Sequence, residues 1–188
     1  MLIAVPKGKH PGERRVPLVP NDVAKLVAMN AEIEVEAGMG ESAAYKDDAY
    51  RDKGASIVSD RKELLHKADI VLGLRPPEEH DLELLKEGTI YISLMDPFFK
   101  LDLVKKFAKH NLSAFCMEMI PRTTKAQKMD ALSSQANLGG YVAVVLAAER
   151  LDMVFPMMMT PAGTLAPARV FVIGAGVAGL QAIATAKR

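Results

Sequence analysis

The chain has one cysteine, no tryptophan and only 5% aromatic residues among its 188. A single cysteine, Cys116, excludes an internal disulfide and points to a reducing compartment. Its setting, Ala114-Phe115-Cys116-Met117, is that of a buried and inert thiol. Excess charge is missing as well: 24 basic against 23 acidic side chains leave a formal net charge of +1. No field of one sign points to nucleic acid or an anionic membrane as the main partner. The longest uninterrupted apolar run, residues 142–148, is far shorter than the roughly 20 residues that span a bilayer. Pro6 and Lys7 interrupt the apolar start, so no secretory signal is expected. These absences predict a soluble, intracellular protein with no direct membrane insertion. His10, His66, His80 and His110 sit in polar contexts without ligand spacing, so no metal site is expected.

What is present is an ordinary globular composition, 49% hydrophobic and 25% charged. A chain of this length buries roughly 70% of its unfolded surface and needs no staples. Short apolar runs alternate with helical patterns from the first residue. Strands are expected at 2–5, 33–35, 55–58, 69–74, 89–94 and 113–117. Helices are expected at 21–29, after Asp60, near 82–85 and around 101–109, with Asn21 or Asp22 capping the first. Asp60 with Glu63 has the spacing of a capping box. Asp96-Pro97 reads as a turn. Strands separated by helices of this length make parallel βαβ units with right-handed crossovers. The predicted class is α/β, a doubly wound parallel sheet.

At Pro121 the character changes. Residues 122–128 are polar and basic and read as a loop. Residues 130–151 form one long helical pattern, interrupted by the pair Gly139-Gly140. Each mid-helix glycine costs about 1 kcal/mol against alanine, which suggests a close backbone contact there. Residues 154–167 are apolar with Pro156, Pro161 and Pro167, and Met157-Met158-Met159 reads as core filler. Residues 169–173 read as a strand, leading into Gly174-Ala175-Gly176-Val177-Ala178-Gly179 and then a helical stretch. That strand-glycine-helix context is what a dinucleotide fingerprint requires. The first glycine permits the tight turn, the second lets a pyrophosphate approach the backbone, and the third lets helix and strand pack. Amides at the helix start favour phosphate. The candidate cofactor-binding residues are therefore Gly174, Gly176, Val177, Ala178 and Gly179. The acidic residue that holds a ribose hydroxyl belongs about 20 residues beyond the motif, past Arg188. The chain accordingly reads as two segments, 1–128 and 129–188, the second being the truncated start of a Rossmann subdomain.

Four blocks carry a family resemblance. They are Pro11-Gly12-Glu13-Arg14-Arg15-Val16, the stretch from Pro121 through Arg122, Gln127, Asp130 and Ser133 to Tyr141, Thr160-Pro161-Ala162-Gly163-Thr164, and the glycine motif. Together they resemble the NAD(H)-binding domain I of proton-translocating NAD(P) transhydrogenase, within the alanine dehydrogenase/transhydrogenase family. The resemblance implies two α/β subdomains with NAD(H) in the cleft and a homodimer. It also implies NADP(H) on a partner domain, membrane-spanning partner subunits, and a cytoplasmic place at the inner membrane through those partners. It implies that the loop with Arg122, Gln127 and Asp130, and Ser133 beside it, lies over the nicotinamide. Hydride transfer between two nicotinamides moves no proton at the reacting carbons. Such a site needs ring placement within about 3 to 3.5 Å and exclusion of water, not an acid or base.

Two other readings stand beside this one. Alanine dehydrogenase shares the resemblance, and Arg15 matches that family's substrate-anchoring arginine. However, Arg75 stands where its lysine is expected and Ser93 where its histidine is, and neither replaces an acid-base group near neutrality. The third reading is a non-catalytic dimerisation or assembly piece.

Overall fold

The computed structural model describes residues 1–187, in two compact units divided after Ile120. In the first unit a six-stranded parallel sheet comprises β1 (Leu2–Val5), β2 (Glu32–Glu36), β3 (Ser56–Val58), β4 (Ile70–Leu72), β5 (Ile90–Ser93) and β6 (Ser113–Cys116). Its strand order is β3-β2-β1-β4-β5-β6, the doubly wound order. The helices are α1 (Pro20–Ala28), α2 (Asp47–Arg51), α3 (Arg61–Lys67), α4 (Glu79–Leu84) and α5 (Leu101–Lys109).

Alternation in the strands decides which helices cover which face. Ile3, Val5, Ile33 and Val35 pack with Val23 of α1 and Tyr50 of α2. Ala4, Val71 and Tyr91 pack with Leu64 and Leu65 of α3, Leu82 of α4 and Phe107 of α5. The Tyr91 and Phe107 rings meet edge-on, centroids 6.0 Å apart. Tyr50 is fully buried and donates from its hydroxyl to Leu18 O at 3.0 Å. Burial pushes its phenol up to about 12.

Helix α1 begins one residue earlier than the expected cap: Val19 is the N-cap, Pro20 opens the helix, and no side chain caps it. Proline fits there because its missing N–H is one that the first turn leaves unpaired anyway. At α3 the Asp60 carboxylate accepts from the amides of Lys62 (2.8 Å) and Glu63 (3.3 Å). Glu63 completes no box; its carboxylate takes Lys67 Nζ at 3.0 Å. Asp96 sits in a turn with φ of +54°, and its carbonyl accepts from Phe99 N and Lys100 N.

The second unit holds α6 (Ala131–Arg150), a hairpin of β7 (Met158–Thr160) and β8 (Gly163–Leu165), and α7 (Val177–Lys187). The hairpin replaces what read as an irregular apolar stretch. Met157, Met158 and Met159 are 65%, 45% and 84% exposed, so they do not fill a core. Residues 169–173 form no strand; Phe171 and Ile173 are exposed, and no strand among the described residues pairs with them. A strand needs a hydrogen-bonded partner, which local apolar pattern cannot supply. Helix α6 is long and apolar enough to cross a membrane by length and composition, unlike the shorter run of residues 142–148. That criterion is also met by helices of soluble proteins.

Candidate functional site

Two places in the molecule carry functional geometry, one in each unit. In the second unit the glycine motif assigns a distinct position to each glycine. Gly174 has a φ of +97°, in the region where a side chain is strained. A Cβ at Gly179 would overlap the Gly174 carbonyl oxygen and come within 3.4 Å of Val172 Cγ1. Gly176 has nothing within 4 Å of where its Cβ would be. Turn, tight packing and open approach are thus divided among the three in the manner a phosphate cradle needs. Val177 and Ala178 open α7, whose first amides lie at the positive end of an 11-residue helix. The supporting contact comes from α6, where Gly140 lies against the Ala178 backbone.

In the same unit Asp130 is the N-cap of α6. Its carboxylate accepts from Ser133 N at 2.8 Å and Ser133 Oγ at 2.6 Å. The Ser133 hydroxyl and amide hold the carboxyl below its ordinary range, with a smaller contribution from the Arg122 charge. Among the described residues no ion pair joins Arg122 and Asp130, and Asp130 is engaged by Ser133. Gln127 begins a 3-10 turn, Gln127–Met129, and its side chain is exposed with its amide unengaged among the described residues. Arg122 is likewise exposed. The loop therefore presents a guanidinium and a primary amide to the surroundings, while Asp130 and Ser133 fix the helix start behind them.

The first unit has a cleft at the carboxyl ends of β1 and β4, where the strand order reverses. In open α/β sheets this switch point is where ligands bind. The cavity measures about 400 Å³, and its lining includes Lys7, Arg15, Arg61, Arg75, Asp81 and Tyr91. Glu13 organises one wall. It takes Arg15 through Nε and Nη2, both at 2.7 Å, and Arg75 through Nε at 3.0 Å. The paired Arg15 draws the Glu13 carboxyl down to about 2, with Arg75 adding to the effect against a burial penalty.

Beneath this wall Arg61 binds Asp81 through two contacts, at 2.9 and 2.7 Å, donates to Lys7 O at 3.0 Å and pairs with Glu36. Burial opposes the charge of Arg61, but the Asp81 and Glu36 carboxylates prevail and raise its pKa. Burial likewise works to raise the Asp81 carboxyl, yet Arg61 holds it below its ordinary value. Tyr91 is 4% exposed and reaches the cavity because Gly73 leaves room for its hydroxyl; a Cβ there would overlap it.

The sequence singles out Arg15 and Arg75 but gives no role to Glu13, which joins them, or to Tyr91. The Glu13-Arg14-Arg15 spacing was the available signal for half of the clamp; Arg75 lies 62 residues from Glu13, and no local spacing links the two. Ser93 is 1% exposed and lies outside the residues lining this cavity. Arg15 and Arg75 are thus brought together at the cleft, while Ser93 is not.

Comparison with known proteins agrees on one family. Residues 4–139 match the model described as "Alanine dehydrogenase/PNT, N-terminal domain", and residues 143–188 match "Alanine dehydrogenase/PNT, C-terminal domain". An NAD(P) transhydrogenase alpha-subunit chain of Rhodospirillum rubrum is 46% identical over 100% of this chain and 50% of its own length. An alanine dehydrogenase of Methanococcus maripaludis is 25% identical over 97% of this chain and 49% of its own. The solved transhydrogenase of Sinorhizobium meliloti superposes with a TM-score of 0.94 at 41% identity, covering 99% of this chain and 55% of that one. The chain spans about half the length of the curated relatives it matches.

Proposed function

Because the chain belongs to the alanine dehydrogenase/PNT family, we propose that it contributes the NAD(H)-binding component of an NAD(P) transhydrogenase. The observation that carries this reading is the division of labour within the glycine motif. Gly176 is open at the start of α7 while Gly174 and Gly179 are locked in place. The margin between 46% identity to a transhydrogenase subunit and 25% to an alanine dehydrogenase supports the same choice.

In this reading Gly174, Gly176, Val177, Ala178 and Gly179 hold the pyrophosphate of NAD(H) through backbone amides. The nicotinamide supplies the hydride chemistry when bound. Gln127 donates to and accepts from the nucleotide's ribose or carboxamide, and Arg122 provides positive charge at the face of the loop. Asp130 and Ser133 hold the loop's end in register with α6. None of these residues has to move a proton, as a direct hydride transfer requires. Their work is positioning and the exclusion of water.

The acceptor is NADP(H) held by a partner domain. The assembly is a homodimer of this component with membrane-spanning partners, which place it on the cytoplasmic side of the inner membrane. The division of the chain for this purpose is residues 1–128 and 129–188.

Calorimetric titration with NADH, with NADPH as control, tests the reading. Selective NADH binding at micromolar affinity is the expected result, and preference for NADPH overturns it. The alanine dehydrogenase alternative rests on Arg15 in the cleft. It requires turnover of L-alanine with NAD+ in the absence of any partner, whereas the transhydrogenase reading expects none. Ser93 lies outside the cleft lining, which favours the latter.

A further inference from the structure

Whole-chain neutrality conceals a local segregation of charge around α5. Residues 96–110 contain Lys100, Lys105, Lys106 and Lys109 against Asp96 and Asp102, a surplus of two positive charges where the entire chain has a formal net charge of +1. Lys105 is paired with Asp102 at 3.1 Å and Lys106 with Glu79 at 2.6 Å. Lys100 and Lys109 have no carboxylate partner among the described residues.

The same segment is apolar where a surface helix is ordinarily polar. Helix α5 packs inward through Phe107, which is 4% exposed, and the half-buried Leu103. On its outer side Leu101, Val104 and Ala108 recur at helical spacing and are all exposed. The turn leading into the helix adds Phe98 and Phe99, 71% and 87% exposed. Two phenyl rings projecting from a turn, continued by an apolar helical stripe and edged by lysines, are costly to leave in water.

We propose that this face docks on an anionic lipid surface, with Phe98 and Phe99 entering the headgroup region and the lysines engaging lipid phosphates. A membrane interface accepts projecting rings without a preformed pocket, and it draws lysines to headgroup level while their stems lie along the apolar boundary. The combination of a short apolar stripe with a basic rim suits a surface bound by both contributions and held by neither alone. Because α5 is fixed to the sheet through Phe107, docking needs no unfolding of the helix.

The absence of tryptophan from the chain allows a clean experiment: F99W introduces a single fluorophore at an exposed position. The full chain carrying F99W is titrated with vesicles of phosphatidylcholine, with and without phosphatidylglycerol. The expected result is a shift of emission to shorter wavelength with the anionic vesicles, reversed by high salt. Adding F98A, or K105Q with K109Q, should weaken partitioning about tenfold with circular dichroism unchanged. No shift, an equal shift with phosphatidylcholine alone, or undiminished partitioning of the variants overturns the proposal. So does a shift produced by poly-L-glutamate but not by vesicles, which assigns the face to an acidic protein. A concentration-dependent shift without vesicles assigns it to a second copy of the chain and overturns it as well.

Discussion

Gly140 in α6 sits so close to Ala178 at the start of α7 that a side chain at position 140 would overlap the Ala178 carbonyl oxygen. The carbonyl carbon and Cα of Ala178 lie 3.0 and 3.1 Å from where that Cβ would be. Gly139, its neighbour in the helix, has nothing within 4 Å. The obstacle at Gly140 is backbone, which cannot swing aside as a flexible side chain would. The glycine thus fixes how α6 supports the helix that begins at the glycine motif.

The two glycines of α6 should respond oppositely to alanine. G140A forces the helices apart and should destabilise the unit by about 2 kcal/mol, the overpacking penalty exceeding the gain in helix propensity. G139A meets open space and should gain up to about 1 kcal/mol. Thermal denaturation of the two variants checks this. Equal melting temperatures would refute the close approach.

A second contrast separates folding from binding within the motif. G179A places a methyl against the Gly174 carbonyl and should lower the melting temperature, by about 2 kcal/mol in stability. G176A meets nothing within 4 Å in the free protein, so its melting temperature should be unchanged. A methyl there would nevertheless stand where a pyrophosphate must approach. NADH affinity should fall about tenfold or more, read by calorimetry. If G176A binds NADH normally, the phosphate cradle is not at this glycine.

Much of the first unit was legible because period and spacing report directly on a strand or helix. Glu32-Ile33-Glu34-Val35-Glu36 alternates, and β2 occupies those residues. Helix α5 falls on its expected residues, 101–109. Helix α2 was not anticipated because five residues, Asp47–Arg51, are too few to display a period. The β7–β8 hairpin was missed because its strands are three residues each and lie in a methionine- and proline-rich run without alternation. The reverse error arose at residues 169–173, where an apolar run looks the same whether or not a neighbouring strand exists.

Candidate-site residues followed the same division. The glycine motif is a contiguous pattern whose geometry follows from the chain itself. The Glu13 grip on Arg75 depends on β1 and β4 becoming neighbours in the sheet, which no local pattern encodes. Asp130 illustrates an intermediate case. Its partner is the local Ser133, because a cap three residues away needs no loop closure.

Glu13 should give the cleft a measurable acid dependence. Its folded-state carboxyl is drawn down from 4.5 to about 2, so the stabilisation is fully present above the unfolded value. It is lost as pH falls from about 5 towards 2. Solvent screening of the half-exposed arginines limits the contribution to about 1 kcal/mol. Melting curves of E13Q and the parent should differ at neutral pH and converge near pH 2. A constant difference across that range would mean that packing, and not the two arginines, sets the role of Glu13.

Asp130 allows capping and positioning to be told apart. Its carboxyl is held low by the Ser133 hydroxyl and amide, so its contribution to stability is present above the unfolded carboxylate range and declines as pH falls through the depressed value. D130N keeps an oxygen that can accept from Ser133 N, and D130A removes it. D130A should therefore melt below the parent at neutral pH, with D130N close to the parent. If Asp130 served only as a cap, D130N would leave NADH affinity and hydride transfer to a partner unchanged. The proposed function requires more, because the carboxylate also stands in the field of Arg122 and fixes the end of the loop that carries Gln127. D130N should then retain thermal stability and NADH affinity but slow hydride transfer in the reconstituted enzyme. S133A should slow it in the same direction by freeing the same carboxylate. Parental transfer rates in both variants would remove these residues from the nicotinamide site and leave them as the start of a helix.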